Sequence, residues 1–390
     1  MSVDNNHVNS EKDQTTYCWV TFTDNTQQKI ATVHYADKPH DSLAIRLPVF
    51  DSRAQEFVRH RVAKLRICDL DQLNRLAYHF DTSFQKHVYR GQGNYNWPLE
   101  TKLERNAPES VKKESGLETF ELRTYVEAQR RLHHYVDTLP ADDDFLSWFA
   151  LIRHHGVPTR LLDVTKSLFI ACYFAMKDTR PDHDAALWVF QRFLYDSAFF
   201  DWCRLHKNSV LRSSPYTNAQ YGETYYYPFP KNLSQPRRTI TYDSLRQEPD
   251  STLLNLTAVL EAAMYGLIDK PGVAIAEPYW LTTRMDVQQG AFLIPFNVRQ
   301  SFQENLFSYL SLDTNQDLCY GTDEIEFPED DNALRSILAF VPVIKVRLCS
   351  NMHEILKVRL NTMNIRDLTL FPDIEGAMQH ISSHVPVERK

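Results

Sequence analysis

Glycine is scarce in this sequence: 10 of 390 residues, against a usual share of about 7%. Each glycine is therefore expected where a side chain would not fit, and four of them fall in three short stretches, at Gly91 and Gly93, at Gly156 and at Gly290. No apolar run reaches the roughly 18 residues that a membrane-spanning helix needs, so no membrane partner is expected. The first residues lack the basic start, apolar middle and small-residue cleavage site of a secretory leader. Six cysteines (Cys18, Cys68, Cys172, Cys203, Cys319, Cys349) stand far apart without a C-x-x-C pair. That spacing removes the simplest zinc and thiol-exchange sites and predicts reduced, mostly buried thiols in a cytoplasmic protein with no metal. Basic residues are outnumbered, 43 against 50 acidic for a net charge of −7, so a broad basic face for duplex DNA is not expected, although local basic patches fit inside an acidic total.

Several signatures of chemistry are missing as well. None of G-x-x-x-x-G-K-[ST], G-x-G-x-x-G, H-E-x-x-H or G-x-S-x-G occurs. Phosphate loops, Rossmann dinucleotide sites, zincins and α/β-hydrolases thereby lose their simplest marks.

What is present reads as a mixture of strands and helices. Residues 17–22, 29–35 and 43–50 look strand-like, with Asp24-Asn25 as a turn, and predict a small N-terminal β-rich accessory unit over 1–60 ahead of a main domain over 61–390. Helical periodicity covers 53–80, and a short strand from 87 ends in the glycine turn at 91–93. Helices are predicted over 117–139, 144–154 and 168–176, with Gly156 just past the end of the second and Thr165 or Ser167 capping the third. A strand follows at 185–193, then an irregular Tyr- and Pro-rich stretch over 204–250 and a helix at 253–268. Strands at 290–298 and within 337–348 precede a helix at 351–360, where Asn351 and Glu354 fit a capping box, and a last helix from 373. The order predicts an α+β fold: a mixed sheet core with flanking helices.

Three stretches concentrate polar chemistry. In Tyr89-Arg90-Gly91-Gln92-Gly93 an arginine ends a strand beside a turn, offering a planar fork of donors to a diphosphate or carboxylate, or else a structural ion pair. Arg153 to Thr165 crowds histidines, a threonine, an arginine and an aspartate into a rigid loop between two apolar helices; Asp163 there reads either as a working carboxylate or as a cap of the next helix. In Gln288-Gln289-Gly290-Ala291-Phe292, Gln289 suits a ribose hydroxyl or a carboxamide, or the satisfaction of a strand edge.

These blocks resemble the FRG domain family. The aromatic-Arg-Gly motif of that family reads Tyr89-Arg90-Gly91-Gln92 here. Its most specific block, Gln-His-x-Gly-x-Pro-Thr-Arg-Leu-Leu-Asp-Trp-Thr, is matched by His154 to Asp163 and Thr165, with Arg153 in place of the glutamine and Val164 in place of the tryptophan. A later Gln-x-Gly-x-Phe block is similar to residues 288–292, and a Leu-Phe-Pro-Asp block to Leu370-Phe371-Pro372-Asp373, so the resemblance spans roughly residues 85–380.

The order of the blocks is similar to the Arg, Ser/Thr, Gln/Glu order of ADP-ribosyltransferases, and the resemblance implies such a fold and activity. The implied protein is a toxin that uses NAD as substrate to modify an RNA or protein acceptor in an intracellular phage-defence or toxin–antitoxin system, held in check by a cognate antitoxin protein. Arg90 would clamp the diphosphate, with Tyr89, Gly91, His154, Thr159 and Arg160 around the cofactor, and Phe292 or Tyr89 stacked on a ring. Asp163 is the motif carboxylate available to face a ribosyl cation, with Glu277 or Glu261 as the other candidates, and Gln289 would orient the ribose. Residues 216–229 with Lys231, Arg237 and Arg238 would suit single-stranded RNA. The competing expectations are an NAD glycohydrolase and a non-catalytic nucleotide-binding or adaptor module.

Overall fold

The computed structural model describes residues 17–25, 28–36, 62–82, 86–112, 116–141, 144–177, 179–192, 239–240, 256–264, 268–278, 281–310, 324–331 and 342–374, with single positions between and after them. Near the N-terminus, β1 (Tyr17–Asn25) and β2 (Gln28–Ala36) form an antiparallel hairpin, in register from Tyr17 opposite Ala36 to Asn25 opposite Gln28. The strand expected at 43–50 lies outside the described residues, as does the RNA-directed stretch at 216–238.

A second, nine-stranded sheet organises the rest. In order across the sheet stand β10 (Glu324–Glu326), β3 (Ala63–Ile67), β11 (Val343–Leu348), β6 (Ala185–Gln191), β4 (His87–Gln92), β5 (Leu162–Thr165), β9 (Gly290–Pro295), β8 (Val273–Pro278) and β7 (Thr239–Ile240). β3 runs parallel to both of its neighbours, and every other pairing is antiparallel, so the sheet is mixed. The α+β reading with a mixed sheet and flanking helices holds.

Alternation along the strands sorts side chains to two faces. On one face Leu65, Ile67, Tyr89, Leu187, Val189 and Ile344 lie under α1 (Leu70–Thr82), α5 (Leu168–Lys177) and α9 (His353–Thr362). Farther along that face Ala274, Ala276, Phe292 and Ile294 lie under a second group of helices, α3 (Leu117–Arg131), α4 (Phe145–His154) and α6 (Leu256–Met264). The opposite face, with Val88, Leu162, Val164, Trp188 and Leu293, is closed partly by Phe302 and Leu306 of α8 (Phe302–Leu310).

The boundary between the two helix groups falls at β4 and β5, and there the sheet is weakest. These strands pair at one position only, Tyr89 opposite Thr165, whereas β4 pairs with β6 over six positions and β5 with β9 over four.

Some elements differ from expectation. Of the helix predicted over 53–80, residues 53–61 lie outside the described residues, residues 63–67 form β3 instead, and a helix runs from Leu70; fully buried Leu65 and Ile67 satisfy a strand period as well as a helical one. The Asn351 capping box is absent: residues 350–352 form a 3₁₀ turn, and α9 starts at His353 with no side-chain cap. Cys68 and Cys349, expected reduced, are joined by a disulfide, since the adjacent parallel strands β3 and β11 end side by side and bring their Cα atoms to 4.9 Å. Cys172 is free and buried, and burial pushes its thiol up to about 12.

Candidate functional site

The loop after α4 is built by a specific helix end. Asp144 opens α4 by accepting from the Ser147 amide at 3.1 Å, and the buried run Phe145 to Ile152 seats the helix in the core. At the far end Gly156 adopts φ +91°, a left-handed conformation that suits glycine. The Val157 amide then donates to the Ile152 carbonyl and the Gly156 amide to Arg153, closing a Schellman turn. This turn reverses the chain into Pro158 and Thr159 and delivers it to β5.

Four motif blocks meet there. Arg90 donates from Nη1 to the Asp163 carbonyl at 2.8 Å, across the opening in the sheet's pairing between β4 and β5, which pair only at Tyr89 and Thr165. Arg153, at the end of α4, grips the Asp163 carboxylate with Nε at 2.6 Å and with Nη2. Thr165 donates from Oγ1 to the Gln288 carbonyl at 2.7 Å, and Gln288 donates from Nε2 to Leu370 at 2.9 Å. Arg284, in the short α7 (Thr283–Val287), is ion-paired with Asp373, and His154 lies within electrostatic range of that carboxylate. The Leu-Phe-Pro-Asp block, following α10 (Asp367–Leu370), thus lies against the second and third blocks.

The charge around the opening is lopsided. Arg90, Arg153 and Lys102 each lie within electrostatic range of one carboxylate, Asp163, and Arg105 lies within range of Arg90 and Lys102. Lys102 and Arg105 belong to α2 (Lys102–Asn106), whose start is fixed by a Thr101–Glu104 capping box, and Lys102 donates to the Gly156 carbonyl at 2.5 Å. Burial pulls the Arg90 guanidinium down to about 10; Asp163 resists that pull, while Arg153 and Arg105 add to it. Burial pushes the Asp163 carboxyl up, but Arg153 and then Arg90 outweigh it and hold the group below its ordinary range. Half of that side chain (53%) is open to solvent, so the cations decide the sign. Lys102 is lowered by desolvation and by Arg153.

Three polar atoms here are buried without a hydrogen-bond partner among the described residues: Arg90 Nε, Arg153 Nη1 and Thr159 Oγ1. Leaving such a group unpaired costs about 1–3 kcal/mol, so the two guanidinium donors beside Asp163 mark donor capacity that no described residue uses.

The remaining expected site residues are placed elsewhere or differently. Arg160 is 1% exposed and paired with Glu121 at 2.7 Å, its other donors reaching the carbonyls of Ala263 and Phe296, so it ties α3 and α6 to the end of β9 and offers nothing to a ligand. Phe292 is 4% exposed in the core under α4 and cannot stack on a bound ring. Tyr89 is likewise in the core beside Phe80 and His87, its hydroxyl raised by burial. Gly91 is needed for a helix rather than a ligand: a Cβ there would stand 2.0 Å from the Ala171 carbonyl oxygen and 2.4 Å from the Ala175 nitrogen of α5. Asp163 does not cap α5; the Ser167 hydroxyl accepts from the Ile170 amide at 3.4 Å instead. Gln289 is exposed at φ +49°, its carbonyl accepting from the Lys166 amide at 2.9 Å, so its backbone fixes the turn while its side chain stays in solvent. Glu277 is held by Arg192 at 2.5 Å and Lys166 at 2.9 Å, which lower it despite burial; nothing is described of the Glu261 side chain.

Lys102, Arg105 and Arg153 escaped the sequence reading as ligand-facing groups. The charged Thr101-Lys-Leu-Glu-Arg segment carries no block signature, and only the fold carries it to the Gly156 turn.

Residues 85–184 match the FRG domain. That match covers β4 to the edge of β6 and includes Arg90, Arg153, Thr159 and Asp163, so the opening lies within it. Comparison with curated proteins and with solved structures returns no match. The stretch that matches the FRG domain therefore includes the sheet's weakly paired middle, while the third and terminal blocks reach it from outside that stretch. Among the described residues no helix is long and apolar enough to cross a membrane, and no group of three or more His, Cys, Asp or Glu side chains could hold a metal.

Proposed function

We propose that the protein binds NAD at the opening between β4 and β5 and transfers its ADP-ribose to a macromolecular acceptor. The observation that carries this reading is the pair of unpartnered buried guanidinium donors, Arg90 Nε and Arg153 Nη1, beside a surplus of positive charge. A diphosphate supplies what such a set lacks: several anionic acceptor oxygens on one flexible group, matched by forked guanidinium donors. Arg90 bears on the diphosphate, while fully buried Thr159 stays behind it as part of the wall. Holding the diphosphate fixes the nicotinamide ribose for attack by an acceptor, a gain in positioning more than in covalent chemistry.

The test is direct. Purified protein incubated with NAD labelled on its adenylate portion, with total RNA or cell lysate, should yield label in macromolecules and free nicotinamide. Nicotinamide release with no macromolecular label would instead mark an NAD glycohydrolase.

A second reading has its own observation. Of the three carboxylates offered to face a ribosyl cation, Asp163 is already held by the Arg153 fork and Glu277 by Arg192 and Lys166. If neither is released, the domain holds a nucleotide without cleaving it. NAD binding by calorimetry, with no nicotinamide release, would establish that module.

A further inference from the structure

We infer that Asp163 is an internal occupant of the cation cluster, standing where a ligand's phosphate goes, and that Lys102, Arg105 and Arg153 join Arg90 in holding that phosphate once Asp163 is displaced. The inference rests on the location of the site proposed above, and concerns how the site is gated and which further residues bind.

Three geometric facts support it. Among the described residues, Asp163 is the carboxylate in electrostatic range of both Arg90 and Lys102. Its two oxygens receive the Arg153 fork, an arrangement that a phosphate reproduces oxygen for oxygen. Yet Asp163 leaves the set undersatisfied: Arg153 is 10% exposed with Nη1 unpaired, and Arg90 keeps Nε unpaired and reaches only the Asp163 carbonyl. A carboxylate carries one charge and two acceptor atoms; a diphosphate brings more of both. Asp163 is half exposed and its pairing with Arg153 is a contact between side chains, so the carboxylate can swing toward solvent without moving the backbone. The backbone bond from Arg90 to the Asp163 carbonyl survives that movement, so the strands keep their spacing while the carboxylate leaves.

The consequence has a distinctive sign. A carboxylate that acts on the reacting ribose makes its amide variant less active without strengthening diphosphate binding. A carboxylate that competes with phosphate makes the amide variant bind diphosphate more tightly.

The experiment is calorimetric titration of the full chain, wild type and Asp163→Asn, with inorganic pyrophosphate and with ADP. Asp163→Asn should bind both about tenfold more tightly, the effect of removing one competing charge at a partly screened site. Arg153→Gln and Lys102→Gln should each weaken binding of both probes. Equal or weaker binding by Asp163→Asn, or no binding of either probe to any form, overturns the inference. If that variant fails to fold, the unaltered protein serves: ¹⁵N signals of the Arg153 guanidinium must shift when pyrophosphate saturates the site, and unmoved signals overturn the inference. Failure here is separable from failure of the transferase reading. Tight pyrophosphate binding without NAD cleavage leaves the displaced carboxylate standing, while NAD cleavage without tighter binding by Asp163→Asn removes it and spares the enzyme.

Discussion

Arg90 and Arg160 stand in adjoining strands and loops of the matched domain, yet they meet opposite surroundings. Arg160 is enclosed with Glu121, both side chains at or below 1% exposure, and its donors are used. Arg160→Ala should cost about 3–5 kcal/mol by stranding the glutamate, a loss read from denaturant unfolding. Arg90 makes one bond to a carbonyl, so Arg90→Ala should change unfolding free energy by no more than about 1 kcal/mol while abolishing NAD binding in calorimetry. A pH series tests Asp163 at the same scale. Its pKa in the folded chain lies below the ordinary value of about 4, so its stabilisation is complete above that value and disappears as pH falls through the lowered one. The melting-temperature gap between wild type and Asp163→Asn should therefore be flat from pH 7 to about 5 and close below pH 4. Sequence showed that Arg90, Thr159 and Arg160 were special, but it could not divide them into core and opening, because that division depends on which strand face and helix end each reaches.

At the scale of elements, the contact of α5 with β4 carries most weight. Gly91 lets the backbone of α5 approach to a distance that any side chain would forbid. Gly91→Ala should destabilise the fold by about 2 kcal/mol or more, since backbone on both sides must move, and should impair Arg90 by displacing its strand. Parallel loss of melting temperature and ligand binding is the expected result, in contrast with Arg90→Ala, where only binding falls. The scarcity of glycine pointed correctly to this position, although the neighbour it accommodates is a helix. Long apolar helices such as α4 and α5, and the Gly156 turn, were legible from composition and caps. β5 and β8 were not: β5 is only four residues long and β8 is short and buried on both faces, so neither shows the alternation by which strands are read.

For the whole molecule, the sheet joins segments that no local pattern connects, as when β3 pairs with β11 across most of the chain. The convergence of four motif blocks followed from their order only as an expectation; the single β4–β5 bridge and the cations of α2 required the assembled structure. The Cys68–Cys349 bond spans 281 positions, and cross-links of this kind usually contribute about 2–4 kcal/mol. Cys349→Ser, or addition of reductant, should lower the unfolding free energy of the chain by that order. The same bond gives the polypeptide a topology of its own. Everything between Cys68 and Cys349 forms a closed covalent ring, so a single protease cut anywhere within it opens the ring without releasing a fragment. Nicked protein should accordingly migrate as one species on a non-reducing gel and separate into two pieces only after thiol treatment.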